Sequence, residues 1–202
     1  MLKTAAFVTA IGAVVIVACA VSIGAQPPAG EGPQYGENGR LLLPADYREW
    51  VYLTSGLGMT YGPAGAGNPP GNFDNVFVNR DAYRRFMTTG RWPDKAVFVL
   101  EIRRSESEVS INKGGHTQGR VAAVEVAVKD AARFPDTTWA YFDFGAPPNL
   151  ASSAAALPST ASCYRCHRQN AAVEQTFVQF YPTLMEVARR LGTLNAGYAD
   201  TR

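Results

Sequence analysis

Cysteine and histidine are scarce in this sequence, and clustered positive charge is missing. The 202 residues include three cysteines and two histidines, and the formal net charge is +2. No run of five or six basic residues occurs, so there is no case for nucleic-acid binding. No internal repeat is visible, and one domain of ordinary size remains once the N-terminal stretch is set aside.

Residues 1–25 have the pattern of a targeting segment, with Lys3 before a long stretch of small apolar residues. One interpretation is a signal peptide cleaved after Ala25. The second is a lipoprotein signal in which Cys19 is lipidated, and the third is an uncleaved membrane anchor. Each predicts that the domain lies in the periplasm or on the outer face of a bacterial membrane. In each case the domain itself keeps two cysteines.

These two cysteines belong to a Cys-x-x-Cys-His pattern formed by Cys163, Cys166 and His167. The pattern is the attachment signature of a c-type haem. Two thiols on one helical turn reach two vinyl groups and form thioethers, and the following imidazole gives iron its proximal ligand. The motif therefore predicts one covalently bound haem c, with His167 as the axial ligand of the iron.

Three other interpretations of the motif stay open. A redox-active cysteine pair normally lies early in a βαβ unit, whereas this pair follows an Ala-, Pro- and Ser-rich stretch near the C-terminus. A structural zinc site needs four ligands, and the one further histidine, His116, lies far upstream. A buried disulfide neither requires nor excludes the adjacent histidine.

The hydrophobic patterns predict an α+β fold, in which an antiparallel sheet and flanking helices enclose the haem. Strands are predicted at residues 75–78, 96–103, 121–128 and 138–144. Helices are predicted at 47–53, at 79–88 with its end at Gly90, and at 169–191 with an interruption near Pro182. Residues 105–119 are predicted to connect a hairpin, and 145–162 to form a loop. The predicted domains are a targeting segment or anchor at 1–25, a linker at 26–40, the haem domain at 41–191 and a tail at 192–202.

Several short segments occur in an order and spacing that resemble a known family. They are Tyr-Arg-Glu-Trp-Val at 47–51, Val-Asn-Arg-Asp-Ala-Tyr at 78–83, Thr-Gly-Arg-Trp-Pro-Asp at 89–94, Val-Ala-Val-Lys-Asp at 126–130 before Arg-Phe at 133–134, Trp-Ala-Tyr-Phe at 139–142, and Phe-Val-Gln-Phe-Tyr-Pro at 177–182. Together with the haem motif, they resemble the cytochrome P460 family, which includes the β-sheet cytochromes c′. The resemblance runs from about residue 41 to residue 190.

The resemblance implies an antiparallel sheet with flanking helices, often a homodimer, and a five-coordinate haem whose distal side is open to small ligands. In the family's hydroxylamine-oxidising enzymes, a lysine just before a glutamate on the long central strand is linked to the haem. The matching residues here are Leu100 and Glu101, and Leu100 cannot form that link. The other lysines of the domain, Lys95, Lys113 and Lys129, do not fall on the match. The branch without the cross-link, of the c′-beta type, therefore fits better.

Four apolar residues are candidates for a cover over the open face of the iron, namely Phe73, Phe77, Phe98 and Leu100. Ordinary core packing is the alternative for each of them. An apolar cover offers no hydrogen bond to bound O₂, on which negative charge builds, so it would favour NO.

Other polar and sulfur-containing residues are weaker candidates. Asp74 and Glu101 are possible proton acceptors, and Arg165 and Arg168 could pair with haem propionates, contact a redox partner or remain solvated. His116 is most simply a solvated loop residue, with a sixth ligand or a distal proton donor as alternatives. The possible sixth ligands also include Met59, Met87 and Met185, although core packing is favoured for Met87.

The sequence thus predicts an exported mono-haem c-type cytochrome that binds NO or a similar small ligand, exchanges electrons with a redox partner protein, or does both. The alternative is an oxidoreductase of the P460 type that oxidises hydroxylamine or NO. A redox or metal module without haem is the third hypothesis. No catalytic residue is assigned, and a homodimer is expected from the resemblance alone.

Overall fold

The structure, a computed structural model, describes residues 31–61 and 71–200. The predicted targeting segment and Cys19 lie outside the described residues. Within those two ranges, no helix is long and apolar enough to cross a membrane.

The centre of the fold is an antiparallel sheet with helices against it. In chain order the strands are β1 (Leu41–Leu42), β2 (Val51–Leu57), β3 (Asn72–Val78), β4 (Val97–Ser107), β5 (His116–Lys129), β6 (Trp139–Asp143) and β7 (Ser153–Ala154), and the helices are α1 (Arg80–Thr89), α2 (Ser162–Asn170) and α3 (Pro182–Leu191). Strands β2 to β6 pair in sequence order, and β1 pairs with β7. The α+β class with an antiparallel sheet and flanking helices is therefore confirmed.

Helix α1 ends where the sequence predicts. Gly90 has a φ of +67°, and its N–H binds the carbonyl oxygen of Phe86. A residue without Cβ adopts this left-handed conformation at little cost, which explains why the helix stops there.

The helix predicted at residues 47–53 is wrong. A single 3₁₀ turn, Tyr47–Glu49, is followed at once by strand β2. Val51 and Tyr52 pair with Val78 and Phe77 of β3, so sheet pairing outweighs the helical spacing of the aromatic residues.

The long hairpin of β4 and β5 reaches further than predicted. Its strands extend to Ser107 and start again at His116, and the connection is correspondingly short. Register shifts lie between Ile102 and Ser105. Both faces of this extension are polar, so the apolar alternation that identifies a strand is absent from its sequence.

The C-terminal part also differs from the single interrupted helix predicted at 169–191. Helix α2 already contains the Cys-x-x-Cys-His motif, and Val178–Phe180 forms a 3₁₀ turn before α3. Pro182 lies at the first turn of α3, where its missing N–H costs no hydrogen bond. The chain between α2 and the 3₁₀ turn folds back towards the motif.

The described parts of the predicted linker at 26–40 and of the predicted tail at 192–202 both contact the domain. Arg40 donates a hydrogen bond to the carbonyl oxygen of Ser153 at 2.8 Å, and Glu31 forms an ion pair with Arg80. At the other end, Asn195 donates to the carbonyl oxygen of Ala171 at 2.8 Å. The domain limits stay predictions.

The sheet has two different faces because successive residues of a strand point to opposite sides. On the helix face, Phe98 packs in a hydrophobic cluster with residues of α1 and α3, including Phe86 and Leu184. On the closed face, Val99 packs in a second cluster that includes Leu41.

Candidate functional site

Helix α2 presents both thiols of the motif on one side. Cys163 and Cys166 are three residues apart, which places them one helical turn from each other, and both are half-buried free thiols. Tyr164 between them is buried, and its ring lies edge-on to Tyr141 with 4.8 Å between centroids. Its hydroxyl donates to the carbonyl oxygen of Leu157 at 3.2 Å. Tyr164 thus fixes α2 against strand β6.

The imidazole of His167 is held on three sides. Its Nδ1 lies 2.8 Å from the carbonyl oxygen of Gln175. Since a carbonyl only accepts, Nδ1 is the donor and Nε2 carries the free lone pair. The rings of Tyr141 and Phe177 flank the imidazole at centroid distances of 4.6 and 4.3 Å.

The surroundings of His167 favour its neutral form. Burial lowers the pKa of the imidazole, and the bond to the carbonyl oxygen of Gln175 opposes this shift only in part. A neutral imidazole is the form that binds metals. His167 is therefore prepared as a ligand.

A cavity of about 380 Å³ opens beside this helix and is bordered by both thiols and His167. This volume falls within the range of about 300–1,000 Å³ that is usual for ligand and cofactor sites. The helix face of the sheet supplies one apolar wall, and the segment after α2 supplies aromatic rings. The apolar wall residues are Val76, Phe98, Leu100 and Ala127 from the sheet, with Phe177 and Phe180 from that segment.

Three carboxylates also border the cavity, namely Asp74, Glu125 and Asp143. Removal of water from its surroundings raises the pKa of Asp74. Glu125 keeps an exposed side chain, yet its partial desolvation and then the charges of Asp143 and Asp74 raise its pKa as well. The cavity is therefore apolar on part of its wall and proton-accepting on another part.

Glu125, Asp143, Tyr141 and Gln175 were not predicted as site residues, although all four border the cavity. One signal was present for Glu125, which interrupts the apolar run of β5 on the side that also carries Ala127. For Gln175 no sequence signal exists, because its contribution to the His167 environment depends on how the chain folds back.

The predicted cover residues separate into two groups. Phe98 and Leu100 border the cavity. Phe77 does not, because it packs edge-on against Tyr47 and Tyr52, each with 5.6 Å between ring centroids. Phe73 lies on the same side of β3 as Phe77, since the two are four residues apart in one strand. These two phenylalanines are therefore not part of the cavity wall.

The two predicted proton acceptors are separated by the sheet. Asp74 borders the cavity, whereas Glu101 lies on the closed face with 2% of its surface exposed. Glu101 accepts hydrogen bonds from Tyr47, Arg48 and Arg103. Burial alone would raise its pKa, but these donors and the charge of Arg103 outweigh burial and lower it. Glu101 is therefore buried away from the cavity, whereas Asp74 borders it.

The other candidates have different surroundings. Met59 borders the cavity, whereas Met185 is buried in the cluster of the helix face and Met87 packs against that cluster. His116 is exposed and lies 3.2 Å from the hydroxyl of Ser105 through its Nδ1. Arg165 and Arg168 are exposed on α2.

The lysines of the domain have partners or positions away from the cavity. Lys95 forms an ion pair with Asp130, Lys129 binds Glu174 at 2.7 Å, and Lys113 is exposed in the hairpin connection. Among the described residues that border the cavity there is no lysine, and Leu100 is one of them.

A zinc-type ligand set is not formed by the part of the chain that is described. Within it, no group of three or more His, Cys, Asp and Glu residues is placed to hold a metal ion. His116 in particular is separated from the motif.

Among known proteins, the chain is similar to one protein family. No curated protein matches the chain. Residues 44–178 match the cytochrome P460 family, a stretch that includes the sheet and the Cys-x-x-Cys-His motif. Because this match covers most of the chain, the protein belongs to the cytochrome P460 family, and a haem cofactor is implied.

Proposed function

We propose that this protein is an exported cytochrome with one haem c, which binds NO or a similar small ligand and exchanges electrons with a redox partner. The observation that carries the proposal is that Cys163, Cys166 and His167 border one cavity, and that no hydrogen bond to His167 Nε2 is formed within residues 31–61 and 71–200. A bound haem would supply an iron centre that takes up small ligands and transfers single electrons.

The residues present fit such a group. The two thiols are one turn apart, as thioether bonds to adjacent vinyl groups require, and they share the cavity with the imidazole. The main-chain carbonyl of Gln175 fixes the tautomer, which is the usual arrangement for a ligating histidine. Cys163, Cys166 and His167 would therefore hold the haem.

The apolar wall supports small neutral ligands. Phe98 and Leu100 present no hydrogen-bond donor. The ring of Phe98 is held in place by edge-on packing against the ring of Trp92, with 4.6 Å between the ring centroids. A wall of this kind excludes water and does not stabilise the charge that builds on bound O₂. This supports the preference for NO.

The alternative is an oxidoreductase that acts on hydroxylamine or NO. The three carboxylates at the cavity favour it, because oxidation of hydroxylamine releases protons together with electrons. Carboxylates with a raised pKa, such as Asp74 and Glu125, accept protons closer to neutral pH. Leu100 argues against a lysine cross-link in this alternative.

A pyridine haemochrome assay on exported protein, followed by ferrous and NO-bound spectra, tests the proposal. We expect a covalent haem c spectrum, an ordinary ferrous Soret band and rapid NO binding. A red-shifted ferrous Soret band, or reduction of an added dye by hydroxylamine that depends on the protein, would favour the oxidoreductase. Colourless protein would overturn both.

A further inference from the structure

Gln175 contacts the surroundings of His167 through its main chain and through its side chain. Its carbonyl oxygen accepts the Nδ1–H of His167 at 2.8 Å. Its Oε1 accepts the hydroxyl of Tyr141 at 3.3 Å, and its Nε2 donates to the carbonyl oxygen of Thr137 at 3.1 Å. Gln175 therefore links the carbonyl oxygen that accepts from His167 to Tyr141, whose ring is one of the two that flank the imidazole.

The residue before Gln175, Glu174, is already held by contacts with Asn195 and Lys129. Glu174 has a φ of +51°, and its N–H and carbonyl oxygen both bind the side chain of Asn195 at 2.8 Å. Lys129 binds its carboxylate at 2.7 Å. These contacts hold Glu174, but the link towards β6 and the preceding loop is made by the side chain of Gln175 itself.

We propose that Gln175 is a positioning residue for the proximal ligand. By anchoring its own peptide to Thr137 and Tyr141, its side chain fixes the carbonyl that orients the imidazole of His167. A well-placed carbonyl acceptor keeps Nδ1 protonated and makes Nε2 a stronger ligand. Loss of the side chain would let the peptide and the Tyr141 ring shift together. This inference rests on the proposed function, because it concerns the bond from His167 to a haem iron.

The matched pair of variants is Gln175→Ala and Gln179→Ala. Gln179 lies four residues further along and also links two main-chain groups. Its Oε1 accepts the N–H of Ala172 at 2.9 Å, and its Nε2 donates to the carbonyl oxygen of Asn170 at 2.7 Å. The hydrogen bonds of Gln179 hold the same segment but do not involve His167. The variant Gln179→Ala therefore shows what a general loosening of that segment does.

The test uses exported holo-protein and starts with the haemochrome assay on the unchanged chain. The iron–histidine stretching band of the ferrous protein is then recorded by resonance Raman, and the rate at which bound NO displaces His167 is measured by EPR. For Gln175→Ala we expect a lower and broader band and displacement about tenfold faster, the smaller end of the usual effect of outer-shell changes. For Gln179→Ala we expect neither change.

Tyr141→Phe removes the hydroxyl that binds Gln175 and keeps the ring beside the imidazole. It should shift the band in the same direction by a smaller amount, and it gives an answer if Gln175→Ala does not fold. Equal effects of Gln175→Ala and Gln179→Ala, or no change in both Gln175→Ala and Tyr141→Phe, would overturn the positioning role while the haem assignment stands. A colourless unchanged chain would overturn the haem assignment and the positioning role together.

Discussion

The two faces of the central sheet differ although the same strands build both. On the closed face, Val99 is fully buried and the carboxylate of Glu101 accepts hydrogen bonds from three side chains. On the helix face, the neighbouring Leu100 borders an open cavity. Among the described residues, Asp74 and Glu125 at that cavity form no ion pair.

This difference indicates that the faces have separate tasks. The closed face is packed and has its buried carboxylate paired, as stability requires. The helix face borders a cavity and has carboxylates whose pKa is raised, and such features are typical of functional sites. Variants on one strand can therefore separate stability from haem binding.

The largest effect is expected when both thiols of the motif are removed. Cys163→Ser combined with Cys166→Ser should abolish covalent haem completely, because no thioether can form. The fold should survive, since both side chains are half-buried at the cavity. Mass spectrometry after acid extraction measures the result. Cys19→Ser is the control and should retain all of the covalent haem, so haem that stays bound in the double variant would contradict the attachment.

Neighbouring residues of β4 give the sharpest test of the comparison. Val99→Ala should lower the free energy of unfolding by about 2 kcal/mol, because two buried methyl groups are lost from a packed cluster. Leu100→Ala should cost less stability, since its side chain is only half-buried, but should alter the rate of NO binding. Urea unfolding and stopped-flow measurements compare the two. A larger loss of stability for Leu100→Ala would remove the distinction between the faces.

Glu101→Gln tests the paired carboxylate of the closed face. Its pKa is below the ordinary value of 4.5, so its charge contributes stability that is present above pH 4.5. This stability is lost as the pH falls through the lower folded-state pKa. Glu101→Gln should therefore cost about 1 kcal/mol at neutral pH and flatten the acid limb of the stability curve. Urea unfolding at several pH values measures this, and an unchanged acid limb would argue against the ion pairs.

Sequence patterns could predict the sheet because β4, β5 and β6 alternate or are continuously apolar. The Cys-x-x-Cys-His spacing was enough to single out Cys163, Cys166 and His167 as candidates, and the structure brings the three to one cavity. The end of α1 was predictable from Gly90, because few other residues accept its backbone conformation.

The remaining features depend on contacts between distant parts of the chain. The aromatic residues Tyr47, Trp50 and Tyr52 favoured a helix over 47–53, whereas pairing with β3 makes the chain from Val51 onward a strand. Phe77 and Phe98 are both aromatic strand residues, and the register of β3 against β4 decides that Phe98 alone of the two borders the cavity. Gln175 meets His167 through a fold-back of eight residues that has no pattern of its own.

The smallest effect is expected for the second histidine of the chain. His116→Ala should leave the haem spectrum unchanged and the free energy of unfolding within about 0.5 kcal/mol, because the side chain is exposed and its hydrogen bond to Ser105 is at the surface. His167→Ala should instead remove the proximal ligand and change the ferrous spectrum, although both thioethers can still form. Spectra of both variants and of the unchanged chain test whether His167, which borders the cavity, is the histidine that binds the iron. A spectral change in His116→Ala would mean that the far end of the long hairpin reaches the iron, which its position on β5 does not support.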